Sequence, residues 1–477
     1  MLRIDQNCRA VARADKLTVI VDAARYFAVA RQALMEAQQR IMLIGWDFDA
    51  RIVLDADATE GPAKVGEFLL WLVERNPALN LYLLRWDLGA IKSLFRGTTL
   101  ISLLKLMRHP RIHVRLDGHH PTGASHHQKI VCIDDCLAFC GGIDMTDERW
   151  DTCDHLDHDP RRLSASGKPH KPWHDATTAV SGPAASALAE ICRERWLLGT
   201  GETLAPIETR RNCWPVALEP MFEDVEIGIA QTRPEMPTEV GLLQIEALFL
   251  DQIASAKRHV YCESQYFASR RIAEAIARRL DEPDGPEFVI VNPVTAQGWL
   301  EPLAMDTARA RLMEALKRRD KHGRLRMYHP VTAGGTPIYV HAKLTFADDR
   351  QLRVGSANMN NRSLRLDTEC DLIVVADDDA TAATILEVRN RLLGEHLDVA
   401  PEVVATTIAE QGSLIGAVER LRGDGRSLRP YAPKDLASIE KWLADNEVLD
   451  PEGPEEMFEG LSKRGLFRGR LKRHRKT

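Results

Sequence analysis

Along most of the chain, short apolar runs alternate with segments of helical period. The window 26–39 has the spacing of an amphipathic helix and leads into an apolar strand over 41–48; 243–256 leads in the same way into 259–267. Further Val/Ile/Leu-rich strands are predicted at 81–84, 112–116, 288–291 and 325–328. Strands interleaved with helices predict α/β layering. From about residue 401 the strand pattern is lost, and 403–422 and 434–446 predict helices broken by Gly and Pro. The polar stretch 151–171, rich in His, Asp, Pro and Gly, predicts a loop. The most apolar windows, 68–73 and 100–107, are cut by charges well short of the ~20 residues that span a bilayer.

The pattern also repeats. His127, Lys129 and Asp134 are followed by Gly141, Gly142 and Asp144; His341, Lys343 and Asp348 are followed by Gly355, Ser356 and Asn358, at a constant offset of 214. Beyond each motif comes a β-like run, 173–180 and then 367–375, in which Asp175 aligns with Glu369 at an offset of 194. The shortfall of 20 places an insertion in the first half, at the loop 151–171. The expected organisation is therefore two similar α/β halves, 1–205 and 206–400, packed together and followed by a helical extension with a basic tail, 401–477.

Composition narrows the setting more than the chemistry. With 63 Lys and Arg against 69 Asp and Glu the net charge is −6, which gives no electrostatic footprint for nucleic acid. The nine cysteines form no Cys-x-x-Cys pair and are expected to be buried thiols in a reducing compartment. The first residues lack a signal-peptide apolar run, so a cytoplasmic location with peripheral membrane contact is expected, secretion by a specialised route being the alternative. Eight Lys or Arg between 463 and 477 follow an acidic stretch at 450–459: a solvated tail, or a contact for anionic lipid.

Residues two apart on a strand share a face, so His127 projects with Lys129 and His341 with Lys343. If the halves pack about a pseudo-two-fold axis, two imidazoles and two ammoniums converge on one pocket. Such a pocket suits a phosphodiester, whose negative charge grows at the five-coordinate transition state. One neutral His can attack phosphorus while the other, protonated, releases the alcohol and then activates water. No metal or other cofactor is required. Asp175 and Glu369 occupy matched positions from which a carboxylate would fix each imidazole's tautomer. Within the candidate catalytic set His127, Lys129, Asp134, His341, Lys343 and Asp348, the two aspartates fall at strand ends facing away from the imidazoles, which favours a structural role. Gly141, Gly142 and Gly355 are expected to allow close backbone approach at the pocket floor. Ser356 and Asn358 offer donors to phosphate oxygens. His119, His120, His126, His155, His158 and His170 read as ordinary core or surface residues.

The duplicated His-x-Lys-x4-Asp motif resembles the signature of the phospholipase D superfamily. Gly45-Trp46-Asp47-Phe48, Pro172-Trp173-His174-Asp175, Glu263-Ser264-Gln265-Tyr266-Phe267, and the stretch from Ser356 through Asn358 to Ser363 and on to Glu369 resemble its lipid-acting members. The resemblance covers nearly all of residues 10–400. It implies two α/β sandwich halves sharing an interfacial active site, and hydrolysis of a phosphatidylcholine-type headgroup to phosphatidate and a free alcohol, with transfer to another alcohol as a side reaction. It also implies His127 as nucleophile and His341 as acid, in an order the near symmetry leaves reversible, with Lys129, Lys343 and Asn358 around the phosphate. Asp144, where the second motif has Asn358, departs from that pattern. Its carboxylate would be repelled by phosphate unless protonated or turned away.

Three competing readings are kept. A phosphatidyl transferase of the cardiolipin synthase kind shares the covalent intermediate; its usual forms carry N-terminal membrane helices, whereas here the apolar stretch 88–107 could dock at an interface, though a core helix is the simpler reading. A nuclease would use the same histidines on a nucleic-acid diester, against the acidic charge. A catalytically dead scaffold would not need both His–Lys pairs intact.

Overall fold

A computed structural model describes residues 1–87, 105–208, 211–237, 239–297 and 305–432. The helix expected at 434–446, the acidic stretch, the basic tail and most of the stretch 88–107 lie outside the described residues.

The first 181 residues contribute β1 (Ala10–Val21), β2 (Arg40–Gly45), β3 (Asn80–Trp86), β4 (Ile112–Asp117), β5 (Ile130–Ile133), β6 (Leu137–Gly141), β7 (Trp173–His174) and β8 (Ala176–Ser181). The remainder contributes β9 (Phe222–Arg233), β10 (Leu242–Leu243), β11 (His259–Glu263), β12 (Glu287–Val291), β13 (Leu325–Val331), β14 (Tyr339–Val340), β15 (Leu344–Ala347), β16 (Gln351–Gly355), β17 (Glu369–Val375) and β18 (Ser427–Pro430). All but β7 and β14 belong to one mixed sheet, in the order β18-β13-β12-β11-β15-β16-β17-β9-β1-β8-β6-β5-β2-β3-β4, with β10 on β9. Outward from the β1–β9 junction, one wing runs β8-β6-β5-β2-β3-β4 and the other β17-β16-β15-β11-β12-β13. The two halves are therefore continuous through backbone hydrogen bonds, Ala10 opposite Ile229 and Leu17 opposite Phe222.

Helices cover both faces, as a sheet with parallel pairs requires. Pro183–Thr200 and Asp379–Leu397 share one core that crosses the junction, with Trp196, Leu188, Leu392 and Leu393 fully buried. On the other face each wing has its own core, under Ala23–Met35 and Val65–Arg75 in the first, and under Gln244–Ser255 and Arg270–Leu280 in the second. Local signals fix the ends: Pro183 opens its helix after Gly182, Gly201 closes it with left-handed backbone, and Asp378 caps the N-terminus of Asp379–Leu397 by accepting the Thr381 N–H at 2.7 Å.

Two expectations change, and one feature is new. The region beyond 401 is helical over Pro401–Gln411 and Leu414–Leu421, split at Gly412, but then returns to the sheet: β18 pairs antiparallel with the edge strand β13. Its four residues are too few for a periodic signal. Cys136 and Cys213 form a disulfide, Cα atoms 6.0 Å apart, so not all nine cysteines are thiols. The partners are 77 residues apart, a separation that no local spacing rule reveals. The long central strands β1 and β9, which join the halves, have no counterpart in the sequence reading. No helix among the described residues is long and apolar enough to cross a membrane.

Candidate active site

Both His-x-Lys triplets run directly into a strand, β5 and β15, and each is stitched to the opposite half. His126 bridges Thr368, whose carbonyl accepts the His127 N–H at 2.9 Å. β14 pairs in parallel with β7, and the His341 N–H donates to His174 O at 2.7 Å. The residue after Thr368 is Glu369, and the residue after His174 is Asp175. The pairing is thus crossed: His127 Nδ1 lies 2.9 Å from Glu369 Oε1, and His341 Nδ1 lies 2.6 Å from Asp175 Oδ2.

Both carboxylates are completely buried, while the His127 side chain keeps 16% exposure and His341 7%. With Nδ1 donating to a carboxylate, the nitrogen left for chemistry is Nε2. Lys129 Nζ donates to His127 O at 2.6 Å, and Lys343 Nζ makes the equivalent bond to His341 O. Burial, then Lys129 and Lys343 together, hold the His127 imidazole well below its ordinary pKa. The crossed contacts, His127 on Glu369 and His341 on Asp175, bring the two motifs together. Burial and Lys343 lower His341 likewise, against Asp175.

The carboxylates diverge. Burial pushes Glu369 up to about 8, against Lys129 and the Ser356 hydroxyl. Burial would raise Asp175 too, but His341 and Lys343 outweigh it and hold it down to about 2. The lysines diverge as well: Lys129 Nζ is 3.2 Å from Asp144 Oδ2, whereas Lys343 has no carboxylate in ion-pair range among the described residues, and burial takes it down to about 7.

Gly142 and Ser356 occupy equivalent positions with opposite uses. A Cβ on Gly142 would collide with Asp175 Oδ1, so glycine is what lets that carboxylate lie against the backbone. Gly141 faces Thr177 and Gly355 faces Asp371 with equally little room. Ser356 turns its hydroxyl onto Glu369 and accepts the Cys370 N–H at 3.0 Å. Ser356, expected to bind phosphate or support the site, braces the carboxylate behind His127. Asn358 is buried beside Gln265, its Nδ2 3.3 Å from Gln265 Oε1.

Asp134 and Asp348 leave the candidate catalytic set. Each begins a two-aspartate turn, with φ of 48° and 55° at Asp134 and Asp135 and of 52° and 59° at Asp348 and Asp349. The Asp134 carboxylate accepts the N–H groups of Gln38, Gln39 and Arg40 at 2.7–2.8 Å; Asp348 accepts those of Lys257, Arg258 and His259 at 2.6–3.1 Å. They fasten the starts of β2 and β11 to the hairpins. Aromatic rings that the sequence reading gave no role flank the imidazoles: Trp46 stands edge-on to His127 at 6.3 Å, and Trp173, stacked on Tyr339, lies 5.1 Å from His341.

Two family models divide the chain where the wings divide: "Phospholipase D" matches residues 33–219, and "Cardiolipin synthase, PLD-like domain" matches 249–391. This chain belongs to the phospholipase D superfamily. Among superfamily relatives, Phospholipase D A of Dictyostelium discoideum is 24% identical over 476 residues, covering 80% of this chain and 36% of that protein. Phospholipase D alpha 3 of Arabidopsis thaliana is 23% identical over 472 residues, covering 70% and 57%. The chain thus spans between about a third and three fifths of these relatives' lengths. A phosphatidylserine synthase of Haemophilus influenzae Rd KW20 shares the fold, with a TM-score of 0.57 at 13% identity over 85% of this chain and 96% of that one.

Proposed function

We propose that this chain is a phosphodiesterase acting on glycerophospholipids, hydrolysing the headgroup ester to phosphatidate and a free alcohol. The crossed arrangement carries the reading: two imidazoles, each with Nδ1 on a buried carboxylate from the opposite half, beside two buried lysines. His127 Nε2 attacks phosphorus and forms a phosphohistidine; the P–O bond to the headgroup breaks, and His341, as imidazolium, gives the departing alcohol its proton. Neutral His341 then takes a proton from water, whose oxygen displaces His127 and leaves phosphatidate.

The unequal carboxylates support this division of roles. Asp175, ionised across the working pH range, stabilises an imidazolium on His341. Glu369, raised to about 8, supports an imidazolium less than Asp175 does, which leaves His127 the neutral nucleophile with Nδ1–H on a Glu369 oxygen and Nε2 free. Both imidazoles are depressed in the free protein, and an arriving phosphate anion favours the protonated form of His341. Lys129, Lys343 and Asn358 oppose the charge that builds on the phosphoryl oxygens. The substrate lies at a membrane surface, so peripheral contact is part of the proposal.

A second reading, transfer of the phosphatidyl group to a lipid alcohol, is favoured by the cardiolipin synthase-type model over 249–391. It uses the same intermediate and a different second acceptor. Mixed liposomes of phosphatidylcholine and phosphatidylglycerol separate the two. Phosphatidate and choline, abolished in His127→Ala and His341→Ala, support hydrolysis; cardiolipin supports transfer; absence of lipid turnover overturns both and points to another diester.

A further inference from the structure

Behind the His341 side of the site, four buried side chains from four separate elements converge: Asp22 at the end of β1, His155 in the polar loop, His174 in β7, and Glu395 in the helix Asp379–Leu397 of the second wing. Their donor atoms all lie within 4.8 Å of one another. His155 Nε2 is 3.6 Å from Asp22 Oδ2 and 3.2 Å from Glu395 Oε1; His174 Nδ1 is 3.3 Å from Asp22 Oδ1 and 2.8 Å from Glu395 Oε1. A tetrahedron with bonds of about 2.0–2.1 Å to a central ion has edges of about 3.3–3.4 Å, near these separations.

Two further observations bear on what fills the centre. His174 Nδ1 and Asp22 Oδ2 are buried without a hydrogen-bond partner among the described residues, although carboxylate or imidazole atoms stand close by. The one aligned hydrogen bond among the four is His155 Nε2 with Glu395 Oε1 at 3.2 Å, so His174 Nδ1 and Asp22 Oδ2 are left as buried donor atoms facing the cluster. The other ring nitrogen of each histidine is already held by a carboxylate. His155 Nδ1 is 2.9 Å from Asp151 Oδ2, and His174 Nε2 is 2.7 Å from Glu263 Oε2. Asp151 is fixed by Arg162 at 3.0 Å and the Trp173 N–H at 2.8 Å, and Glu263 by the Tyr261 hydroxyl and His396. Carboxylate–histidine pairs of this kind orient the imidazoles of metal sites.

We propose that Asp22, His155, His174 and Glu395 form a closed structural site for a divalent cation of the zinc class. Two imidazoles and two carboxylates in a four-donor cage suit that ion, whereas calcium and magnesium demand six or more oxygen ligands. Two neutral imidazoles and two carboxylates also balance its charge. The ion is not a participant in phosphoryl transfer; it ties the polar loop and the second wing to the segment carrying Asp175. That segment is clamped on both sides of the site: the Asp22 N–H donates to Asp175 O at 2.8 Å, and the Asp175 N–H to Asp22 Oδ1 at 3.1 Å. The inserted loop, whose histidines looked unremarkable in the sequence, thereby acquires a purpose.

The competing occupant is a pair of protons, which would make the cluster an imidazolium–carboxylate network. Elemental analysis of the untagged full chain, purified without chelator, decides between them, together with titration of metal-stripped protein with Zn2+ and Co2+. The proposal expects about one zinc per chain, the absorption of tetrahedral Co2+ with nitrogen and oxygen ligands after exchange, and a melting temperature that rises by several degrees when Zn2+ is restored. Asp22→Asn and His155→Gln should lose most of the metal, while His158→Gln in the same loop keeps it. Metal-free protein whose melting temperature is indifferent to Zn2+, Co2+ and chelator overturns the site, and so does stoichiometric zinc retained by both Asp22→Asn and His155→Gln. These readouts need no substrate, so they stand or fall apart from the lipid assay.

Discussion

The two histidine sites are built from the same repeat but are not copies. Each carboxylate is braced by its own half and serves the other half's histidine: Asp175 lies against Gly142 and holds His341, while Glu369 takes the Ser356 hydroxyl and holds His127. The His341 side has an acid held down to about 2 and a lysine with no carboxylate in ion-pair range among the described residues; the His127 side has an acid raised to about 8 and a lysine paired to Asp144. Duplication supplies two imidazoles, and small departures from symmetry, Gly for Ser and Asp for Asn, give them different surroundings.

The largest effects come from removing the imidazoles. His127→Asn and His341→Asn should each lower lipid turnover by roughly 10³-fold or more. A diester with a p-nitrophenyl leaving group breaks the tie, because that alcohol departs without a proton. On it His341→Asn should still release one equivalent of nitrophenolate and accumulate a phosphoprotein stable in alkali, whereas His127→Asn should do neither. The reverse pattern would exchange the two roles.

The lysines come next, and should part in stability while agreeing in activity. Lys129→Met leaves Asp144 buried and unpaired, at a cost of about 3 kcal/mol. Lys343→Met removes an ammonium that burial already disfavours. With the folded pKa at about 7 against the ordinary 10.5, the unfolded state binds the extra proton between those values, so the contribution of Lys343 to stability rises with pH across that window and is absent in the variant. Urea melts at pH 6 should therefore show Lys343→Met at least as stable as the native chain. Both variants should lose about 10²-fold or more in turnover.

For the carboxylates, Asp175→Asn should cost about 10- to 100-fold in kcat and Glu369→Gln about tenfold or less, because only Asp175 carries its charge at neutral pH. Equal losses would erase the distinction. Stability profiles give the same contrast with opposite signs. Glu369, raised to about 8, favours the folded state below its unfolded pKa, and that contribution fades as pH climbs from about 4.5 to 8; Glu369→Gln should flatten this limb. Asp175, lowered to about 2, contributes above 3.8 and loses its contribution as pH falls toward 2; Asp175→Asn should remove that acid limb.

Much of this was legible in the residues. The 214-residue offset exposed the repeat, periodicity placed β2, β3, β4, β11, β12 and β13, and the matched positions of Asp175 and Glu369 marked them as partners for the imidazoles. The crossing was not legible, since alignment pairs each acid with its own half while the parallel contacts β7–β14 and His126–Thr368 deliver it to the other. Nor was the fate of Asp134 and Asp348: a carboxylate at a strand end reads alike whether it meets a ligand or the N–H groups of a distant segment. His155 carries no local signal, because its partners lie at residues 22, 174 and 395 and only the fold assembles them. The central strands β1 and β9 were missed because neither holds a motif, and Arg13, Asp15 and Lys16 interrupt the apolar pattern of β1.

The smallest expected effect is the most direct probe of how asymmetry was installed. Ser356→Gly makes position 356 match position 142 and removes one hydrogen bond to Glu369, worth about 1 kcal/mol. Because that hydroxyl lowers the Glu369 pKa, its loss should move the acid's titration further up and extend the falling limb of stability to higher pH. Turnover should drop only a few-fold, since Glu369 still accepts His127 Nδ1 through either oxygen, at 2.9 and 3.0 Å. A drop as deep as that of Asp175→Asn would show that the hydroxyl, rather than the carboxylate alone, sets the tautomer of His127.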